Sequence, residues 1–265
     1  MTACLFALAT MTEFAQTPVP SSASPSPPAS SSLPAPAPIQ ISRRLIVIDP
    51  AHGGIDSGSQ ISDTTVEKDV TLALAFRLRA MLTARGFTVV MTRDADTPAE
   101  PDATGSALTL DGRAGIANHA HAAACLLLHA TGSGNGVHLY SSQLDATAGE
   151  PPVAPWLTAQ AAWVPQSQLL KKQFAAALTR AEIPLVTSSA SVRPMDSLTC
   201  PALVIELAPQ SDDADSINGT DYQQRVALAI AGSLLFWQNQ VQPPARIAAA
   251  AAGYTAPASS AGAQP

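Results

Sequence analysis

Three short runs in this chain are apolar almost without interruption: Leu45-Ile46-Val47-Ile48, Cys125-Leu126-Leu127-Leu128 ahead of His129, and Ala202-Leu203-Val204-Ile205 ahead of Glu206. A strand that alternates apolar and polar residues keeps one wet face, whereas a run without alternation reads as a strand buried on both faces. Between these runs lie helical signals. Residues 65–85 place Val70, Leu74, Leu78, Met81 and Leu82 on one stripe, and Gly86 is a natural stop. Phe87–Met91 and Gly136–Tyr140 read as strands. Leu110–Ala122, Gln168–Ala181 and Asp221–Gln238 read as helices. Strands alternating with helices predict an α/β fold: a single domain whose central, mostly parallel β-sheet is flanked by helices on both faces.

Outside that core the composition changes. Much of the 23-residue proline total falls in residues 17–40, and the stretch from Ala248 onward is dominated by Ala, Gly, Ser and Pro. Such segments have too little bulky apolar surface to offset the entropy of ordering. The expected organisation is therefore a candidate truncated signal segment at 1–16, a disordered Pro/Ser-rich linker at 17–42, a folded domain at 43–241 and a disordered tail at 242–265. Residues 1–15 read MTACLFALATMTEFA, with an apolar run and small residues after it but no basic residues ahead of it. Export is the favoured expectation, and a disordered apolar tip is the alternative. No later segment approaches the length of a membrane-spanning helix. The net charge of −6 argues against nucleic-acid binding, which usually shows a basic patch. Of the three cysteines, Cys4 lies in the candidate signal. Cys125 and Cys200 are either two buried thiols or one disulfide, since pairing depends on their separation. The segment Leu144–Pro165, with Trp156 and Trp163, is either a loop over the site or an insertion.

Four ionisable residues stand out by position. His52 follows the first strand in Asp49-Pro50-Ala51-His52-Gly53-Gly54, Glu67 opens the first long helix, His129 ends an apolar strand, and Glu206 lies near the end of another. In open α/β sheets, ligands bind at strand C-termini. Each residue also has a plainer role. His52 can be a loop histidine, Glu67 can complete a capping box with Thr64, and His129 can be a core histidine. Glu206 is harder to dismiss, because burying an unpaired carboxylate costs several kcal/mol. Together they form the parts of a zinc hydrolase. Two neutral imidazoles and one carboxylate leave the metal site a net positive charge and a position for water, and a second carboxylate moves the proton. On this reasoning either glutamate can be the ligand.

The segments VIDPAHGG, VEKD before a helix, the strand ending in His129, and PALVIEL resemble the zinc-dependent peptidoglycan amidases of the Amidase_3 type, N-acetylmuramoyl-L-alanine amidases. The similarity extends from about Leu45 to Trp237. It implies that His52, Glu67 and His129 hold one Zn2+ per chain and that Glu206 is the catalytic glutamate. The implied reaction is hydrolysis of the amide between N-acetylmuramic acid and L-alanine in peptidoglycan, in cell-wall remodelling, cell separation or lysis. It implies an exported protein, periplasmic or cell-wall associated, with peptidoglycan as partner and an activator protein as a candidate second one. Thr92-Arg93 and Arg113 to Asn118 also match family signatures, with structural roles expected. Ala51 stands where the family has glycine, a change that fits if the backbone there is not at positive φ. Thr131 follows His129-Ala130 where the family has Asn, and Pro209-Gln210-Ser211 replaces an aromatic-containing loop. Two alternatives remain: a zinc peptidase acting on another peptide, and a non-catalytic peptidoglycan-binding or regulatory module. Among the remaining polar residues, His119 and His121 are expected to be exposed; His138, alternating within GVHLY, either lines the cleft or lies on a solvated strand face, the second being favoured. Asp49 and Asp56 either orient a ligand or serve as turn residues.

Overall fold

The computed structural model describes residues 42–96, 108–144 and 155–240. The candidate signal, almost all of the linker, and the tail lie outside the described residues. The described residues fall within one compact unit.

The elements are β1 (Ser42–Pro50), α1 (Glu67–Ala84), β2 (Thr88–Met91), α2 (Leu110–His119), β3 (Ala122–Ala130), β4 (Val137–Ser142), α3 (Val164–Arg180), β5 (Leu185–Ala190), β6 (Ala202–Leu207) and α4 (Thr220–Gln240). They build a six-stranded sheet in the order β2-β1-β3-β6-β4-β5. All neighbouring strands run parallel except β4 and β6. The exception follows from loop length. A parallel return needs a crossover of about a dozen residues, and the connection 131–136 is shorter. β4 therefore runs back, and β5 aligns with it by way of α3.

Successive residues of the inner strands point to opposite faces, which explains why the runs are apolar throughout. On one face Ile46, Ile48, Leu126 and Leu128 pack with Val70, Leu74 and Leu78 of α1, Phe174 of α3 and Ile230 of α4. On the other, Val47, Cys125, Leu127 and Val204 pack against Ala114 and Ala117 of α2 and against Met195 and Leu198. Both faces are covered, with three helices on one side and α2 with a short 3₁₀ turn at Met195–Ser197 on the other. Each such buried aliphatic side chain contributes roughly 1.5–3 kcal/mol.

Two expectations change. β5 is not anticipated by the sequence reading. It is an edge strand whose central residues are exposed, so LVTSSA carries no apolar run. α3 begins at Val164, ahead of the expected Gln168, with Pro165 in its first turn, where a missing N–H costs nothing. Residues 145–154 lie outside the described residues. The rest of the Leu144–Pro165 segment is anchored. Pro155–Ala162 forms a 3₁₀ turn, buried Gln160 donates to the carbonyls of Leu198 and Cys200, and Trp163 is buried while Trp156 is exposed. Among the described residues no helix is long and apolar enough to cross a membrane.

Cys125 and Cys200 form a disulfide, with Cα atoms 6.1 Å apart. It ties β3 to the turn entering β6 across a sequence separation of 75 residues. Replacing both cysteines with alanine should lower stability by about 2–4 kcal/mol in urea unfolding. An unchanged midpoint would contradict that contribution.

Candidate active site

β1, β3 and β6 are parallel, so their C-termini share one edge of the sheet. There the chain leaves β1 through Pro50-Ala51-His52. His52 has φ of 62°, a left-handed conformation that a non-glycine residue holds only when its surroundings impose it. Two buried arginines do so. Arg113 donates to the carbonyl oxygens of Pro50 at 2.9 Å and His52 at 2.6 Å. Arg93 donates to those of Pro50 at 2.9 Å and Ala51 at 3.0 Å. Asp49 offsets the charge of Arg113, accepting from it at 2.7 Å and from the Thr92 hydroxyl at 2.5 Å. Burial pushes the Arg93 guanidinium down to about 10, which leaves it charged at neutral pH. The family-signature residues Thr92, Arg93 and Arg113 thus set the loop that carries His52. Ala51 is buried and not at positive φ, so its methyl group fits.

Glu67 lies at the first turn of α1, and its side chain turns toward the strand ends. One oxygen, Oε1, accepts from His129 Nδ1 at 2.8 Å and the Ala130 N–H at 3.2 Å. The other, Oε2, is 3.1 Å from His52 Nε2 and accepts from the Ser59 N–H at 3.0 Å. The capping box is not formed: Val66 precedes the helix without a side-chain cap, and the Thr64 hydroxyl donates to Asp215. Burial works to raise the Glu67 carboxyl, but hydrogen bonds from His129, His52 and Ser59 outweigh it and hold the group well below the usual carboxylate range. The bond to Glu67 raises the His52 imidazole above its usual value against burial, and Asp56 adds to the rise. Asp56 Oδ2 accepts from His52 Nδ1 at 2.9 Å, so it orients that ring. Gly58, at φ 68°, lies beneath the group; an added Cβ would come within 2.6 Å of His52 Cδ2 and 2.8 Å of Glu67 Oε2. One ligand atom each from His52, Glu67 and His129 lie within 4.8 Å of one another, a set able to hold a metal ion.

Glu206 occupies the neighbouring strand. It is the cross-strand partner of His129 between β3 and β6 and of His138 between β4 and β6. Residues directly opposite share a face, so the three form a row at the sheet's edge. Glu206 Oε2 accepts from His138 Nδ1 at 2.8 Å and the Tyr140 hydroxyl at 3.2 Å. Burial, and then the Glu206 charge, push the Tyr140 hydroxyl up, which keeps it a donor. His138 is therefore not on a solvated face; its side chain is 12% exposed and turned to Glu206. A signal was present in GVHLY: His138 and Tyr140 alternate, and β4 carries both on one face. His119 and His121 are exposed, as expected. Asp49 holds Arg113 and Thr92 rather than a ligand.

The family model described as N-acetylmuramoyl-L-alanine amidase (Amidase_3) matches residues 46–235. Over 96 residues the chain is 38% identical to the germination-specific N-acetylmuramoyl-L-alanine amidase of Bacillus subtilis, covering 34% of this chain and 40% of that protein. The match thus spans about two fifths of that relative's length. Among solved structures, the amidase Ami1 of Mycobacterium smegmatis superposes with a TM-score of 0.59 at 20% identity, covering 77% of this chain and all (100%) of that one. The CwlD amidase of Clostridioides difficile, solved in complex with the GerS lipoprotein, gives 0.59 at 20% identity, covering 75% and 100%. At such identities the structures establish the shared fold. With the family model spanning most of the described core, the chain belongs to the N-acetylmuramoyl-L-alanine amidase family.

Proposed function

We propose that this protein hydrolyses the amide between N-acetylmuramic acid and L-alanine in peptidoglycan, with one zinc ion held by His52 Nε2, Glu67 and His129 Nδ1 and with Glu206 moving the proton. The observation that carries this reading is the convergence of those three ligand atoms beside Glu206 at one edge of the sheet. Family membership supports the substrate.

The donor set suits zinc, which in hydrolases takes nitrogen and carboxylate ligands and keeps an open position. Asp56, by accepting from Nδ1, keeps the His52 proton on that nitrogen and leaves Nε2 to face the site. When bound, the metal would polarise the scissile carbonyl and acidify the attacking water. Glu206 takes the proton of that water and delivers it to the departing L-alanine amine. The two glutamates are suited to different tasks. Glu67 is 4% exposed and is held on both oxygens by backbone N–H groups, of Ser59 on Oε2 and of Ala130 on Oε1, with the other two ligand residues beside it. The Glu206 side chain is 25% exposed and is engaged through one oxygen. The disulfide supports export, since such bonds persist in oxidising compartments. An accessory protein is a reasonable partner, as the fold's relative CwlD binds a lipoprotein.

A digest of purified peptidoglycan with the full chain, read by mass spectrometry, tests this. Stem peptides beginning with L-alanine should appear with the wild type. They should vanish with a chelator, return on adding zinc, and be absent with a Glu206→Gln protein that still binds zinc. Release that survives both treatments would sink the assignment. Peptides cut at another bond would favour a peptidase.

Two predictions concern metal binding. Gly58→Ala forces the His52 ring and the Glu67 carboxylate apart, and should weaken zinc binding about 10- to 100-fold in calorimetric titration. Zinc must also displace protons from the imidazoles. Because His52 is raised above 6.5 in the metal-free site, its proton competes at higher pH than an ordinary imidazole's would. Zinc affinity should therefore begin to fall above that value as pH is lowered. An affinity flat through that range would contradict it.

A further inference from the structure

We infer that His138 is a positioning residue for Glu206: its Nδ1–H holds one carboxylate oxygen so that the other is presented to the reacting atoms. The inference rests on the amidase reading above. Both hydrogen bonds to the Glu206 side chain fall on Oε2, from His138 at 2.8 Å and Tyr140 at 3.2 Å. Oε1 has no hydrogen-bond partner among the described residues. Two donors converging on one oxygen fix the rotation of the carboxylate and leave the lone pairs of its other oxygen for the proton. An ionised carboxylate only accepts, so the bond requires the proton on Nδ1 of His138.

The ring is held from its far side as well. Gly134, at φ 84° in the β3–β4 loop, lies so close that an added Cβ would be 2.7 Å from His138 Cε1 and 2.9 Å from Nε2. The imidazole is thus bracketed between loop backbone and carboxylate. His138 is also the cross-strand partner of Glu206, while His129, on the opposite side of Glu206, bonds Glu67. The row places Glu206 between the residue that orients it and the residue that faces the metal-binding group. Because β4 runs antiparallel to β6, this pairing needs no extra element.

Kinetics on a soluble muropeptide test the inference, with zinc content and thermal unfolding measured on each variant. His138→Leu should lower kcat about 10- to 100-fold, the range expected for losing a hydrogen bond to a charged group. KM should stay within about twofold, because the bond matters to the transition state rather than to ground-state binding. His138→Asn, which places an amide N–H near the position of Nδ1, should recover most of the loss. Histidine ¹⁵N–¹H spectra of the full chain should show a proton on Nδ1 of His138 whose signal moves in Glu206→Ala. A wild-type kcat in the leucine variant, equal losses in the leucine and asparagine variants, or a His138 proton on Nε2 alone would each overturn the inference. A wild-type chain that leaves the muropeptide intact would instead sink the amidase reading. The spectra separate the two failures, because they do not depend on turnover.

Discussion

Two guanidinium groups grip three consecutive carbonyls at the end of β1, and the geometry of the site follows from that grip. Arg93 and Arg113 between them bind the oxygens of Pro50, Ala51 and His52. Without them His52 would have little reason to stay at φ 62°, a backbone that costs on the order of 1–3 kcal/mol. Burying two arginines is itself costly and is offset only where their donors are satisfied. Asp49 and the strand-end carbonyls satisfy them here. The arrangement exchanges stability elsewhere for a fixed imidazole, which a metal site with a defined open position requires.

The second constraint is the division between two carboxylates of the same chemical type. Glu67 is dry and receives donors on both oxygens; Glu206 is wetter and receives them on one. The first environment favours a permanently ionised group locked in place. The second leaves one oxygen with no hydrogen-bond partner among the described residues. Neither property resides in the residue type. Both come from where β3, β6 and β4 end, and from the short 131–136 connection that turns β4 antiparallel and sets His138 opposite Glu206.

Those parts of the fold that bury both faces of a strand were legible in the sequence, because LIVI, CLLL and ALVI have no alternation to mislead. The edge strand Leu185–Ala190 was not, since an exposed strand of Thr and Ser looks like a loop. His52, Glu67, His129 and Glu206 were legible as a group because their positions at element ends place them on one sheet edge. The part played by His138 was not, as it depends on which strand β4 pairs with and in which direction. The Cys125–Cys200 bond depends in the same way on a spatial separation that no spacing encodes. The Thr64–Glu67 pattern shows the converse: a local capping signal was present, and tertiary donors from His129 and Ala130 took the side chain elsewhere.

The central claim is that His52, Glu67 and His129 hold one metal ion while Glu206 stands free of it. X-ray diffraction from crystals of the zinc-loaded chain, with anomalous differences collected at the zinc edge, tests that most directly. The account predicts one peak per chain, about 2.0–2.2 Å from His52 Nε2, a Glu67 oxygen and His129 Nδ1. A peak bound instead by Glu206 and His138, or no peak in that cluster, would contradict it.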